Sequence, residues 1–358
     1  MASKKGGRIH YLAVIFLGII AIHAVVLSCI VPDQAPPVTP EEISGDKPSA
    51  TAVPDTRAAE KDLPAQSTPS APAHRTWQKS TNPLFGRKLD FSRAIHGNSI
   101  EKFVPGARNA VTGIIVDMDT RKVLWEKNSS RRVQIASMTK MMTMLLTFEA
   151  LDRDPALSLD TTVTIPQDVM KVPRTGVLWL SPGERFTLRE LLLGTAVKSA
   201  NDAAEVCAIT IAGSVDKFIR MMNQKSASLG LSANFTTTHG LPDKNKKTST
   251  GSAVDMVMLG ERLLEYPELM KFLSVKQGHI REGSKKTIFV NTNGLINPHY
   301  PGVDGMKTGY TRAAGSCLTF SAMRDGRRII GCVTGFKSSK DRNRFSRKLI
   351  DWAYRQKK

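Results

Sequence analysis

Cysteine is scarce in this chain, and the patterns missing around its cysteines and histidines exclude two kinds of site. Only 4 cysteines occur among 358 residues, too few for a small domain framed by disulfide bonds. They form no Cys-x-x-Cys pair, and the 7 histidines form no His-x-x-x-His pair. Because zinc sites are usually built on such spacings, we predict no bound metal.

Acidic residues are also in deficit. The chain has 51 Lys and Arg against 32 Asp and Glu, a net charge of +19, while 41% of its residues are hydrophobic. That hydrophobic fraction is too high for a wholly disordered chain, and the length suffices for one large domain or two ordinary ones. The basic residues are scattered rather than clustered, so we predict no nucleic-acid partner; such a surface suits anionic lipid headgroups or an anionic cell wall.

The first 31 residues have the composition of an export signal. Lys4, Lys5 and Arg8 precede an apolar run of 21 residues, 11–31, which is long enough to cross a bilayer. The positive flank orients the N-terminus toward the cytoplasm and exports the rest. An uncleaved membrane anchor, a cleaved secretory signal and a lipoprotein signal ending at Cys29 all remain open.

Proline dominates the next segment. Nine prolines of the chain's 19 lie in residues 32–75, where no periodic apolar pattern occurs. This composition is typical of an extended, disordered tether. We therefore predict an N-terminal signal or anchor over 1–31, a tether and lead-in over 32–105, and one folded domain over 106–358 with no further C-terminal β-domain.

The folded part has strand patterns at both ends and helix patterns in the middle, which predicts an α+β architecture with the terminal strands in one sheet and a helical region inserted between them. A two-residue turn at Asp325-Gly326 pairs Cys332 with Thr319. Cys317 is then a diagonal neighbour, roughly 7–8 Å away, so we predict that both cysteines are reduced. Strands are predicted at 112–118, 122–125, 316–323 and 328–336, and helices at 137–151, 187–198, 202–212, 215–229 and 338–355.

Three short motifs could carry chemistry, although each is weak alone. Ser-x-x-Lys begins at Ser44, Ser99, Ser137 and Ser214; Ser-x-Asn begins at Ser80, Ser199 and Ser232; Lys-Thr-Gly occurs once, at 307–309. Order and context select the combination that starts at a helix, continues between two helices and ends at a terminal strand. That combination is Ser137 with Lys140, Ser199 with Asn201, and Lys307 with Thr308 and Gly309.

The selected residues make chemical sense together. A Ser and a Lys three residues apart on a helix share one face, with Cβ atoms about 5–6 Å apart. The amine of Lys140 can take the Ser137 proton if burial or a second cation, such as Lys307, lowers its pKa. A helix N-terminus would also favour a developing oxyanion. The alternative for Ser137 is a simple helix N-cap.

Around these motifs the sequence resembles the low-molecular-mass penicillin-binding proteins, and more narrowly the serine-type D-alanyl-D-alanine carboxypeptidases. The resemblance implies the β-lactamase/transpeptidase-like fold, an antiparallel sheet covered by helices with an inserted helical region, and no cofactor. Ala200 departs from the glycine common in relatives. The stretches that carry the resemblance are 136–143, 181–192, 199–204, 291–295 and 303–311.

The resemblance implies roles residue by residue. Ser137 attacks the bond between two D-alanines, Lys140 is the general base, and Ser199 relays the proton to the leaving amine. Asn201 binds the substrate backbone, and Lys307 and Thr308 bind its terminal carboxylate. Two residues act through their backbones: Gly309 permits close approach of the substrate, and Tyr310 completes an oxyanion hole with Ser137.

The implied partners are a peptidoglycan stem peptide, β-lactam antibiotics and, through the N-terminal segment, a membrane. The protein would then act on the outer face of the cytoplasmic membrane, in the periplasm or in the cell wall. Cleavage of cross-links by a DD-endopeptidase, and a non-catalytic wall-binding role, are alternatives. A β-lactamase is another, but none of the candidate glutamates has the Leu-Asn that usually follows: Glu205, Glu261, Glu265, Glu268 and Glu282.

Overall fold

A seven-stranded sheet organises the computed structural model, which describes residues 86–357. The order along the sheet is β1-β3-β2-β13-β12-β10, with β11 also paired to β12. All neighbours are antiparallel except β1 and β3. The sheet strands are β1 Ile95–His96, β2 Thr112–Asp117, β3 Val123–Lys127, β10 Val303–Gly305, β11 Thr308–Thr311, β12 Gly315–Arg324 and β13 Arg327–Phe336.

Two hairpins build most of this sheet, and they join the two ends of the domain. β2 and β3 form the first hairpin, β12 and β13 form the second, and β13 pairs with β2. Thr319 lies opposite Cys332, as the turn at 325–326 predicted. Cys317 and Cys332 are buried free thiols, so the prediction that both are reduced is confirmed.

The helices lie in the middle of the chain and at its end, which confirms the predicted α+β class. The helical pattern predicted over 187–198 divides into α2 and a π-helix at Gly194–Lys198. The helices are α1 Lys140–Arg153, α2 Leu188–Leu193, α3 Asn201–Ala212, α4 Val215–Ser228, α5 Ala253–Leu263, α6 Pro267–Ser274 and α7 Ser339–Tyr354.

Three two-stranded sheets complete the inserted region. β4 pairs with β7, β5 with β6, and β8 with β9. The larger apolar core combines residues of the sheet and of the inserted helices, including Ile114 and Ile330 of the sheet and Met141 of α1. The short strands are β4 Val133–Gln134, β5 Thr162–Thr164, β6 Arg185–Thr187, β7 Thr250–Gly251, β8 Gln277–Ile280 and β9 Thr287–Val290.

A second apolar core contains the terminal helix and the lead-in. Trp125 of β3 packs edge-on against Phe345 of α7, with ring centroids 5.6 Å apart. Ile100 and Val104 are fully buried in the same cluster. Residues 95–104 therefore belong to the folded domain, and the predicted start at 106 was too late. They form a two-residue strand and a 3₁₀ helix, elements too short to give a periodic sequence pattern.

The predicted anchor over 11–31 and the Pro-rich segment over 32–75 lie outside the described residues, as does Cys29. Within 86–357, no helix combines the length and apolar character that crossing a membrane requires.

Candidate active site

A cleft of about 570 Å³ collects most of the predicted site residues. It lies where β11, the turn that precedes α1 and the start of α3 meet. Lys140 and Lys307 are buried beside it, each 1% exposed or less. The predicted residues that line the cleft directly are Ser137, Ser199, Asn201, Thr308, Gly309 and Tyr310.

Ser137 lies one turn before the α-helix rather than on it. Residues Ala136–Thr139 form a 3₁₀ helix, and α1 begins at Lys140. Ala136 has a φ of 46°, a left-handed conformation that costs a non-glycine residue free energy. Ile135 occupies the N-cap position of this turn, without a side-chain cap, so the N-cap alternative for Ser137 is wrong.

Lys140 is held by three oxygen atoms. Its Nζ lies 3.1 Å from Ser137 Oγ, 2.6 Å from Asn201 Oδ1 and 2.8 Å from the backbone oxygen of His239. In its neutral form the amine has two N–H bonds and one lone pair. The Asn201 and His239 oxygens can only accept hydrogen bonds, so both N–H bonds are occupied and the lone pair faces the Ser137 hydroxyl.

Burial lowers the pKa of Lys140 well below its usual value, because a charged amine loses its hydration there. The charge of Lys307 lowers the pKa further, as predicted from the sequence, while Asp202 acts in the opposite direction. The neutral amine that accepts the hydroxyl proton is thereby favoured.

The second motif stands at an irregular helix junction. After the π-helix, Ser199 adopts a left-handed conformation with a φ of 64°, and α3 begins at Asn201. π-helical turns occur frequently at functional sites. This break in the helix brings both Ser199 and Asn201 to the cleft.

The Asn201 side chain is already engaged at both ends. Its Oδ1 accepts from Lys140, and its Nδ2 donates to the backbone oxygen of Thr175 at 2.6 Å. The neighbouring Asp202 accepts from the backbone N–H groups of Leu178 and Leu180 at 2.9 and 3.1 Å. The loop that contains Thr175, Leu178 and Leu180 therefore holds Asn201 in place, and Asn201 in turn holds Lys140.

Lys307 is buried without a carboxylate partner in the part of the chain that the structure describes. Its Nζ donates to the backbone oxygen of Thr308 at 3.3 Å. Burial lowers the pKa of Lys307 to about 7, and the charge of Arg342 contributes. The Thr308 hydroxyl lies 2.8 Å from that of Thr292, another cleft residue.

Gly309 has a packing reason for lacking a side chain, and the close approach of the substrate stays a prediction. A Cβ at this position would lie 2.7 Å from the backbone oxygen of Ile135 and 3.2 Å from Cβ of Ala136. Glycine therefore lets β11 pack against the turn that carries Ser137. Tyr310 follows it and is 64% exposed, so its contribution to the cleft interior is mainly its backbone.

Arg342 is a cleft residue that the motifs missed. It is 3% exposed, and its guanidinium donates to neutral acceptors, the Cys317 backbone oxygen and Asn343 Oδ1. Burial lowers its pKa to about 10, so it remains charged at neutral pH. A signal existed: Arg342 falls three and seven residues before Phe345 and Leu349, on the apolar face of the predicted terminal helix.

Two of the rejected motif copies, Ser214 and Ser232, and the nearby His239 have structural explanations, while Ser44 and Ser80 lie outside the described residues. Ser214 Oγ caps α4 by accepting from the Lys217 N–H at 3.3 Å. Ser232 donates to Asp255 at 2.6 Å. Burial lowers the pKa of His239 to about 3, so its imidazole is neutral, and its backbone oxygen is the part that contacts Lys140.

Comparison with known sequences assigns the family. A model of the D-alanyl-D-alanine carboxypeptidase family, Peptidase_S11, matches residues 101–338. D-alanyl-D-alanine carboxypeptidase DacF of Bacillus subtilis is 40% identical over 252 residues, which cover 70% of this chain and 63% of that protein. DacA of Escherichia coli K12 is 32% identical over 279 residues, covering 74% and 66%. The match thus spans less than two thirds of both relatives.

Solved structures agree. Penicillin-binding protein 5 from Haemophilus influenzae aligns with a TM-score of 0.64 and 33% identity, covering 69% of this chain and 71% of that one. Penicillin-binding protein D2 from Listeria monocytogenes, in a cefotaxime-bound form, aligns with a TM-score of 0.61 and 27% identity, covering 69% and 98%. These neighbours confirm the β-lactamase/transpeptidase-like fold. This chain therefore belongs to the D-alanyl-D-alanine carboxypeptidase family.

Proposed function

We propose that the protein hydrolyses the terminal D-Ala-D-Ala bond of peptidoglycan stem peptides through an acyl-enzyme on Ser137. The observation that carries the proposal is the environment of Lys140. A buried amine whose two N–H bonds are occupied, and whose lone pair faces a serine hydroxyl, is a preorganised general base. Family membership supplies the substrate class.

Acylation follows from this arrangement. The Ser137 proton passes to Lys140 Nζ while Oγ bonds to the carbonyl carbon of the penultimate D-alanine. The backbone N–H groups of Ser137 and Tyr310 stabilise the negative oxygen of the tetrahedral intermediate. Ser199 relays a proton to the amine of the last D-alanine, which leaves as the C–N bond breaks. The second N–H of the Asn201 amide is available for the substrate backbone.

Deacylation repeats the steps with water as the nucleophile. Water gives a proton to the base and attacks the ester carbonyl, and Ser137 Oγ leaves with the proton restored. A β-lactam acylates the same oxygen, but its ring-opened acyl group stays attached. This accounts for penicillin sensitivity, which is supported by the cefotaxime- and ampicillin-bound forms of the Listeria neighbour.

The terminal carboxylate of the substrate is bound by the cations of the cleft. Lys307 and Arg342 are buried charges that make no ion pair within the described residues, and Thr308 adds a hydroxyl donor at the cleft wall. A carboxylate would supply the missing countercharge. This preference for a free C-terminus favours a carboxypeptidase over an enzyme that cuts inside cross-links.

We further propose an exported protein that is attached to the outer face of the cytoplasmic membrane or released into the periplasm or cell wall. The proposal depends on the positively flanked apolar segment over 11–31 and the Pro-rich segment after it. Protease accessibility of the full chain in spheroplasts tests this orientation: digestion of the domain from outside is expected, and protection would contradict it.

The activity test is release of D-alanine from a peptide ending in Lys-D-Ala-D-Ala, with the Ser137→Ala protein as the blank. A cross-linked peptide dimer and a chromogenic cephalosporin are assayed alongside. Release from the tail peptide, absent in the blank, supports the carboxypeptidase. Cleavage of the dimer alone would assign an endopeptidase, and rapid cephalosporin turnover alone a β-lactamase.

A further inference from the structure

A second cavity, which we call the basic groove, adjoins the cleft. It has a volume of about 540 Å³ and lies among the ends of β11 and β13 and the strand β4. Tyr310 and Lys337 line both cavities, so the groove continues directly from the place where the substrate is expected to bind. Its charged lining residues are Arg131, Arg132, Arg312 and Lys337.

The charges of the groove are uncompensated. Among the residues that the structure describes, its lining contains four cations and no carboxylate. None of the four takes part in an ion pair within 86–357, and Arg132 donates to a neutral group, the Thr250 hydroxyl, at 2.7 Å. All four side chains are solvent-exposed. Four like charges around one cavity repel one another unless an anion occupies it.

The strand geometry indicates which part of a substrate could reach this groove. β11 pairs with β12 along one side, so a peptide can extend alongside its other side. Arg312 is the first residue after β11 and lies two residues beyond Tyr310, so it is at most about 7 Å farther along the chain. A substrate residue two positions before the penultimate D-alanine lies about the same distance from the scissile bond.

We propose that the basic groove binds a free carboxylate on the stem peptide, carried by the acidic residue two positions before the penultimate D-alanine. The inference rests on the proposed function and specifies its substrate: stems with a free carboxylate at that residue are processed in preference to stems in which it is an amide. Binding of the terminal carboxylate in the cleft is a separate contact.

The test compares two peptides that differ in one group, N-acetyl-L-Ala-γ-D-Glu-L-Lys-D-Ala-D-Ala and the same peptide with D-isoglutamine. If the carboxylate forms several exposed ion pairs of ordinary strength with the groove, kcat/KM at low salt should be about five- to thirtyfold higher for the carboxylate peptide than for the isoglutamine peptide. The preference should shrink as ionic strength rises. Equal kcat/KM values for the two peptides would overturn the proposal.

Two double variants sharpen the test. Arg131→Gln with Arg312→Gln should reduce the preference to less than twofold, by lowering kcat/KM for the carboxylate peptide alone. Lys217→Gln with Arg220→Gln removes the same charge from the exposed face of α4 and should leave the preference intact. A preference that survives in the groove variant contradicts the proposal, as does its loss in the α4 variant.

Failure of the groove and failure of the proposed activity have different signatures. If the groove proposal fails, the isoglutamine peptide and penicillin still react with Ser137. If neither peptide releases D-alanine, calorimetric binding of both peptides to the Ser137→Ala protein still measures the groove. A poly(glycerol phosphate) competitor is the last arm: equal inhibition toward both peptides, lost in the groove variant, would assign the groove to wall phosphate and overturn the carboxylate assignment.

Discussion

Buried cations occur in two regions of this molecule, and the two regions treat them differently. Away from the cleft, Arg327 Nε donates to Asp117 at 2.7 Å, and Arg121 pairs with Glu261, all with little exposure. In and beside the cleft, Lys140, Lys307 and Arg342 are as deeply buried, but their hydrogen-bond acceptors are neutral oxygens.

The difference separates structural charge from functional charge. A buried ion pair is compensated within the fold, so its loss is felt as instability. A buried cation without a countercharge is costly in the free protein, and the cost is relieved by deprotonation or by an anionic ligand. The cleft uses both routes, since Lys140 favours its neutral form and Arg342 remains charged for a carboxylate.

The largest effect is expected from Lys140→Met. Loss of the general base should slow acylation by penicillin about 10²–10⁴-fold, while removal of an uncompensated buried amine should leave the melting temperature unchanged or raised. Stopped-flow acylation and thermal unfolding measure the two effects. Lys127→Met is the matched control, because Lys127 Nζ also donates to two backbone oxygens but faces no serine. If acylation is slowed to the same extent in Lys127→Met, the effect of Lys140→Met cannot be assigned to loss of the general base.

The next largest effect is expected where a buried cation loses its carboxylate partner. Glu261→Gln leaves the Arg121 charge buried and unpaired, so we expect a loss of about 3–5 kcal/mol in the free energy of unfolding. Acylation of the folded fraction should be unchanged. Glu265→Gln breaks a more exposed pair with Arg262 and should cost about 1 kcal/mol or less. Urea unfolding compares the two, and equal losses would contradict the distinction.

The fold and the candidate site could be predicted only in part from the sequence, and the reasons are physical. The hairpins could be predicted because turn residues and alternation are local, and Thr319 does face Cys332. The motif residues could be selected because order and context reject chance copies such as Ser214. The late start at 106 shows the limit: Ile100 is buried within a 3₁₀ helix too short for periodicity to reveal.

Most of the missed features depend on contacts between distant segments. Gly309 packs against Ile135, which is far away in the chain, so spacing within β11 could not reveal this packing constraint. The engagement of Asn201 by Thr175 is equally non-local. Arg342 is the exception, since a cation on the apolar face of an amphipathic helix is readable from the sequence alone.

A pH profile sharpens the comparison further through Lys307. Its pKa of about 7 means that the ammonium is present below that pH and is lost as the pH rises. We therefore expect kcat/KM for the tail peptide to fall above pH 7 by up to about tenfold per unit, until Arg342 alone binds the carboxylate. Lys307→Arg should remove this alkaline limb, because the guanidinium stays charged. An unchanged limb in this variant would assign it to another group.

The same residue predicts the sign of a stability effect. The unfolded chain keeps the Lys307 proton up to its usual pKa near 10.5, whereas the folded chain releases it near 7. Between these values the unfolded state binds more protons, so this residue makes the free energy of unfolding rise with pH. Urea unfolding at pH 7 and pH 10 should show a smaller rise in Lys307→Arg than in the unaltered protein. An equal rise would exclude Lys307 as its source.

The smallest effect, and the one that best divides charge from geometry, is expected from Asp202→Asn. The carboxylate raises the pKa of Lys140 and also accepts from the N–H groups of Leu178 and Leu180. Asparagine removes the charge, so the pKa of Lys140 should fall and the acidic side of the pH profile of penicillin acylation should move to lower pH. Asparagine also keeps one of the two acceptor oxygens. Loss of about one buried hydrogen bond should lower the plateau roughly three- to tenfold. If the maximal rate of acylation falls but the acidic side of the pH profile does not shift, Asp202 acts only as a geometric anchor of the loop that holds Asn201.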